Sequence, residues 1–228
     1  YVGIGTNAPV NKLEVVGDAA KFDSVIIVNG ATAGYVLTSD AVGNASWQSS
    51  GDSGWSLAGN AGTSIGTDFI GTTDNVPLNF RVNNEQAGKI DQIIFGTFLG
   101  HYAGYLSTGI YNSAFGNTAM FNNTSGTANS AFGSDALFAN TTGINNTAVG
   151  HRSLYTNTVG MQNTALGYYS LNVNDIGSEN TGVGNFSLGQ NAAGNYNTGI
   201  GRSALYNNLT GDFNTAIGYN SGVSVDGL

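Results

Sequence analysis

Catalysis or metal binding in this chain has to be assembled from two histidines and a sparse set of carboxylates, because there is no cysteine. His101 and His151 are expected at solvent-exposed variable positions, in different repeat environments and without a shared carboxylate partner. An imidazole works as a base or ligand only when another group fixes its tautomer. Asp135, Asp175, Glu179 and Asp212 fall at different positions of the repeat described below, so they form no calcium ladder and are expected on a solvated face. No Ser-His-Asp set and no carboxylate pair of glycosidase type can be drawn. The expected sites are therefore catalytic none, metal none and cofactor-binding none, and the chain is expected not to be an enzyme.

Two further motifs reduce to local structure. Gly3-Ile4-Gly5-Thr6-Asn7-Ala8 matches a dinucleotide fingerprint, but Pro9 follows and no helix pattern succeeds it, so a turn is expected. Asn122-Asn123-Thr124, Asn140-Thr141-Thr142 and Asn208-Leu209-Thr210 fit a glycosylation sequon as by-products of the repeat. A more open signal is the aromatic set Tyr155, Tyr168, Tyr169, Phe186, Tyr196 and Tyr206 at variable positions. Such rings stack on sugar faces, or they pack between coils or subunits.

The elements that position these residues are set by a repeat. From Asn112 a glycine returns every 17 residues, at Gly116, Gly133, Gly150, Gly167, Gly184, Gly201 and Gly218. The asparagine four places earlier keeps step: Asn112, Asn129, Asn146, Asn163, Asn180, Asn197 and Asn214. These two columns are the structural-repeat residues. A second glycine column runs Gly126, Gly143, Gly160, Gly177, Gly194 and Gly211. Fixed periods of this length mark stacked architectures, in which each unit contacts only its neighbours.

Within each unit an apolar residue precedes the first glycine: Phe115, Phe132, Val149, Leu166, Val183, Ile200 and Ile217. Four places after the glycine stands Met120, Leu137, Leu154, Leu171, Leu188 or Leu205. The expectation is two short strands per coil, two inward apolar columns and a turn at each glycine. The asparagines are expected to form a ladder of amides at the strand spacing. One coil cannot offset the ordering entropy of its backbone, at roughly 1–2 kcal/mol per residue, so stacking must. Such a core looks open on one side in a single chain, so a homotrimer is expected to close it.

Ahead of the repeat the chain reads as β-rich. Residues 1–50 hold runs at 12–16, 24–28 and 34–38, a turn at 40–44 and a short run from Ala45 to Trp47. A polar linker at 48–54 marks a boundary, and 51–99 reads as a connector or cap containing a hairpin, with strands 77–82 and 87–91 around a turn at 83–85. The β-roll is assigned to 100–228, its first unit degenerate because Gly100 precedes Gly116 by 16. The fold class is all-β, a parallel β-roll or solenoid preceded by small β-rich units.

Composition narrows the function. Charged residues are only 9%, and the six basic ones, Lys12, Lys21, Arg81, Lys89, Arg152 and Arg202, are scattered in a chain of net charge -8. No phosphate-tracking patch follows, so nucleic acid and anionic membrane surfaces are excluded as expected partners. No apolar run reaches spanning length, so no membrane insertion is expected in this segment. The chain opens at Tyr1 without an initiator methionine or a signal-peptide pattern, and is expected to be a segment of something longer.

The unit Asn-Thr-Ala-apolar-Gly with Ala/Ser-Leu four places on resembles the head repeats of trimeric autotransporter adhesins and the repeat region of phage tail-fibre proteins. Val2-Gly3-Ile4-Gly5-Thr6-Asn7-Ala8-Pro9 before Lys12-Leu13-Glu14-Val15, and Phe69-Ile70-Gly71-Thr72-Thr73-Asp74-Asn75 before Phe80-Arg81-Val82-Asn83-Asn84, are similar to segments of large fibre proteins. The adhesin repeat is shorter than 17, so the loop between strands must be longer here. The resemblance implies left-handed rolls from three intertwined chains. It implies a fibre or adhesin segment, extracellular, on a virion tail fibre or a cell surface. The implied partners are the chain itself and a host-surface glycan or protein receptor. Two alternatives stand beside it: a polysaccharide-degrading fibre enzyme, and an ice- or crystal-binding solenoid suggested by the column Thr147, Thr164, Thr181, Thr198 and Thr215.

Overall fold

The structure, a computed structural model, describes residues 2–4, 8, 13–15, 35–39, 45–49, 64 and 69–222. They fall in two compact units, Tyr1–Ile70 and Gly71–Leu228. In the first, β1 (Val2–Ile4) pairs in parallel with β2 (Leu13–Val15). There too, β3 (Tyr35–Ser39) pairs antiparallel with β4 (Ala45–Ser49), Leu37 opposite Trp47. Gln48 and Ser49, expected in the linker, belong to β4. The run 24–28, the turn 40–44, linker residues 50–54 and the expected start of the next unit at 55–63 lie outside the described residues.

The second unit carries one ten-stranded sheet. Its first two strands, β5 (Leu78–Val82) and β6 (Glu85–Asp91), form the expected hairpin. Asn83 and Asn84 close it with φ of 50° and 62°. Two successive positive φ values match the twist of flanking strands, and asparagine tolerates them better than most residues. β6 then pairs antiparallel with β7 (Gly96–Leu99).

From β7 onward every pairing is parallel. The strands are β8 (Ser113–Phe115), β9 (Ser130–Phe132), β10 (Thr147–Val149), β11 (Thr164–Leu166), β12 (Thr181–Val183), β13 (Thr198–Ile200) and β14 (Thr215–Ile217). Thr147 faces Thr164 and Ala148 faces Ala165, a step of one repeat. The step from β7 to β8 is one residue shorter, Thr97 facing Ser113, as the early glycine foretold. The architecture is an all-β parallel solenoid.

The core departs from the sequence reading in three respects. Each repeat holds one strand, not two. The leucine column instead lies in a tight turn with left-handed backbone, φ being 52° at Leu137, 49° at Leu154 and 49° at Leu171. Second, the apolar residue of the strand points outward. Ala114, Ala131, Ala148 and Ala165 are the buried strand residues, whereas Phe132, Val149, Leu166 and Ile200 are exposed. A strand sends neighbouring side chains to opposite faces, so the small residue and the apolar one cannot both be inside. Third, the core is closed within one chain, because Met120, Leu137, Leu154, Leu171 and Leu188 are all 0% exposed. An open core therefore gives no reason for a trimer.

Small residues on the strand let the turn leucines fill the interior. At the buried turn serines Ser170 and Ser187 the adjoining strand position has no Cβ, whereas Ser153 turns its hydroxyl to the Gly150 carbonyl and the strand keeps Ala165. The hydroxyls of Ser170 and Ser187 donate to the carbonyls of Gly182 and Gly199 at 2.9 and 2.7 Å. A Cβ on either glycine would lie within 2.8 Å of that serine's oxygen.

The hairpin end of the stack is plugged by Phe98. It occupies the strand position held by alanine or glycine in later coils and is fully buried. Its ring fits because Gly104 has no side chain; a Cβ there would sit 2.0 Å from the ring. Lys89 lies over the ring at 5.1 Å, and Gln86 donates to the Ala103 carbonyl at 2.8 Å. β5–β7 continue the sheet of the coils within the same unit.

Leu171→Ala should destabilise the second unit by about 2–5 kcal/mol in chemical denaturation, and Leu171→Asp by more, through an unpaired buried charge. Phe98→Ala should cost about 3–5 kcal/mol, with amide protection in hydrogen exchange lost first at β7 and β8.

Candidate functional site

The repeat asparagines are buried, and their amides run along the stack. Each Oδ1 accepts the backbone N–H of the asparagine one coil on: Asn129 to Asn112 at 3.0 Å, Asn146 to Asn129 at 2.9 Å, Asn163 to Asn146 at 3.0 Å. Asn180, Asn197 and Asn214 continue the series at 3.0, 3.0 and 2.9 Å. From Asn112 to Asn197 each Nδ2 donates to a carbonyl of the second glycine column, as Asn146 does to Gly160 at 2.8 Å and Asn180 to Gly194 at 2.7 Å. From Asn163 onward the amides also bond to one another, Asn163 Nδ2 reaching Asn146 Oδ1 at 3.2 Å. The ladder expected from the sequence is present, with backbone as its main partner.

A second asparagine ladder was missed. Asn123, Asn140, Asn157, Asn174, Asn191 and Asn208 stand three places before each glycine of the second column. Asn157 Nδ2 donates to Asn140 Oδ1 at 2.9 Å and to its own Gly160 carbonyl at 3.0 Å. The same pair of bonds recurs at Asn174 and Asn191. Both ladders converge on one acceptor: Gly143 takes bonds from Asn129 and Asn140, and Gly160 from Asn146 and Asn157. The signal was legible as a further column at the same period.

Convergence explains the second glycine column, which was expected to be a set of positive-φ turns. It is absent from the positive-φ glycines among the described residues. A Cβ on Gly143 would lie 2.4 Å from Asn140 Oδ1 and 2.5 Å from the Gly160 oxygen. The first column does need positive φ, for example 137° at Gly133, where a Cβ would also sit 2.6 Å from the next coil's Gly150 oxygen. Gly116, Gly150, Gly167, Gly184, Gly201 and Gly218 share that backbone.

Side chains with chemistry gather just after this glycine, along one corner of successive coils. Asp135 accepts from Arg152 Nε at 3.2 Å and from the Thr118 hydroxyl. Arg152 Nη1 donates to the Tyr169 hydroxyl at 2.9 Å. The Asp135 carboxylate, and after it Tyr169, hold the guanidinium above its ordinary pKa. His151 stacks on Tyr168 with centroids 5.4 Å apart and planes at 15°, and Tyr168 touches Tyr169 at 4.5 Å. Phe186 meets both tyrosines and reaches Tyr206, while Arg152 lies 5.0 Å over Tyr155. Five of the six aromatics singled out by sequence thus join one network.

No protein family, curated protein or solved structure matches the chain. The arrangement of its residues therefore carries the functional reading.

The remaining candidates are dispersed. Tyr196 stacks on Phe213 at 4.8 Å, and Glu179 raises its pKa, by hydrogen bonding first and charge second. His101 and His151 occupy equivalent positions, each directly after a first-column glycine, not the different environments expected. His101 lies 2.9 Å from Glu85, and His151 lies 3.9 Å from Asp135. Asp175 accepts from the Thr158 hydroxyl, and Asp212 from the Asn195 backbone. Among the described residues no three His, Cys, Asp or Glu side chains gather as a metal site. Gly3 and Ile4 of the dinucleotide-like motif lie in β1, whereas Gly5, Thr6, Asn7 and Pro9 lie outside the described residues. Asn140, a sequon asparagine, is fully buried with its amide bonded, so a glycan has no access there.

Asn146→Ala should cost about 3 kcal/mol, since it leaves the Asn163 backbone N–H without its acceptor and removes a bond to Gly160. Asn146→Asp places a carboxylate against the Gly160 carbonyl, which raises the folded-state pKa. Its unfolded pKa is about 4. The variant should therefore be closest to wild type below pH 4 and lose stability as pH rises through the folded pKa, read as a pH-dependent fall in melting temperature.

Proposed function

We propose that this chain is a segment of an extracellular fibre or adhesin. It serves as a rigid shaft or head that holds a receptor-contacting surface away from its anchor, on a virion tail fibre or a cell. The observation that carries this reading is where the repeat spends its chemistry. The repeated polar residues face inward and bond coil to coil, so recurrence builds stiffness and length. Seven steps at a strand spacing of about 4.8 Å give a rod segment of roughly 35 Å. The reading is non-catalytic. The polysaccharide-degrading alternative needs two cooperating carboxylates, whereas Asp135, Glu85 and Asp91 are each matched to a basic partner.

The homotrimer belongs to this proposal on new grounds. The outward strand face pairs a Ser/Thr column with an apolar column, from Ser113 and Phe115 to Thr215 and Ile217, and carries no charge. A contiguous apolar strip of this kind marks an interaction surface. Three such strips meeting along an axis would cover one another. The same strip supports a second reading, an ice- or crystal-binding face, because threonine and an aliphatic residue alternate across a regular ladder.

Light scattering on the purified chain should give three times the monomer mass, and Leu166→Glu, which charges the strip without entering the core, should return it to monomer. A monomeric wild type removes the trimer. If that monomer also inhibits ice recrystallisation, the second reading replaces the first.

A further inference from the structure

Three observations separate the corner network from the rest of the stack. The first is residue type at two variable positions. The pair after the glycine is His101-Tyr102, Asn117-Thr118 and Ser134-Asp135 in earlier coils, then His151-Arg152 and Tyr168-Tyr169, which puts a cation and rings in adjacent coils. The second is exposure. The rings of Phe121, Phe138 and Tyr155 also stack coil on coil, at 5.7 and 5.2 Å, but they lie half-buried. Tyr168 instead leaves 47% of its surface open. The third is that the polar groups are fixed in advance: Arg152 is held by Asp135 and Tyr169, and His151 by its stack on Tyr168.

The chemistry of the cluster selects its ligand. A cation is disfavoured because Arg152 already occupies the ring faces of Tyr155 and Tyr169. An anion gains little because the charge of Arg152 is matched by Asp135 at 3.2 Å. A half-exposed ring, stacked on His151 on one side, beside neutralised, directional donors and acceptors suits an amphipathic molecule with one apolar face and a rim of hydroxyls. The exposed Asn185 amide supplies further polar capacity. We infer that Tyr168, with His151, Arg152 and Asn185 around it, is a binding subsite for a neutral glycan. The pyranose would lie on the Tyr168 ring with its hydroxyls toward the flanking side chains. Rungs about 4.8 Å apart place successive contacts at roughly the length of one sugar unit. Rigid mounting lowers the ordering cost of such contacts, and several copies of the fibre would multiply weak ones. This inference rests on the adhesin reading and names the contact surface that reading requires.

The test is an array of neutral oligosaccharides, of hexose and N-acetylhexosamine types, probed with the intact chain. At least one sugar should bind, and binding should persist in high salt because no net charge is involved. Tyr168→Ala should weaken it at least tenfold, while Tyr168→Phe and the distant Tyr196→Ala should not, with melting temperatures unchanged in all three. Silence across the array, binding that collapses in salt, or equal binding by Tyr168→Ala overturns the site. Attachment to whole cells is scored in parallel. Attachment that survives Tyr168→Ala overturns the site and leaves the adhesin reading standing. Sugar binding without attachment to any cell leaves the site and removes the adhesin reading.

Discussion

Everything in the coiled unit depends on one buried acceptor, the carbonyl of the second glycine column. Two asparagine amides reach it from different sides of the coil, as Asn146 and Asn157 reach Gly160 at 2.8 and 3.0 Å. A buried amide left unpaired costs about 1–3 kcal/mol, so each coil must deliver this carbonyl in register or forfeit two bonds at once. Register then propagates, because every Asn Oδ1 of the first ladder from Asn112 to Asn197 also holds the backbone N–H of the next asparagine. This constraint fixes the repeat length: one residue more or fewer would carry both amides away from their acceptor. The single short step, between β7 and β8, falls where the first ladder is only beginning at Asn112.

The same constraint offsets a backbone that would otherwise be unfavourable. Left-handed conformations cost roughly 1–2 kcal/mol at a residue with a side chain. Three such residues occur in most coils, for example Asn145, Arg152 and Leu154. Those corners persist because their backbone groups are tied to the adjacent coils. Arg152 N donates to Ser134 O at 3.0 Å, and Leu154 N to Ser170 O at 3.1 Å. An isolated coil would have the strain without the bonds. Stability is therefore a property of the stack, and the Phe98 plug matters because an end coil lacks a neighbour on one side.

Periodicity made the fold legible, and the limits of that legibility have physical causes. A column shows that a position is equivalent in every coil, but not which way it faces. Phe115, Val149 and Leu166 looked like core because they are large and apolar, while the interior was filled by Ala114, Ala148 and Ala165 with the turn leucines. The deciding feature was space. A narrow coil admits one large side chain per turn, and the leucine after the glycine takes it. Assigning a strand to that leucine followed from its apolarity, yet its φ near 50° belongs to a turn, and no side-chain preference announces it. The second asparagine ladder was plainly periodic and was overlooked because three of its members, Asn123, Asn140 and Asn208, were read only as parts of by-product glycosylation sequons.

The variable positions behave differently, and there the repeat helps by contrast. A scaffold whose inward positions repeat leaves its outward ones free to change without disturbing the stack. Departures from the pattern at such positions are then candidates for function, since packing does not require them. Tyr168 and His151 stand directly after a glycine whose backbone is fixed by its neighbours, with Gly150 N bonded to Phe132 O and Gly167 N to Val149 O, both at 2.8 Å. The corner inherits the stiffness of the ladders beneath it. Any aromatic or polar group placed there is presented at a set spacing and orientation without a loop to order. The buried asparagines thus bear on recognition indirectly, because they hold the outward rings still.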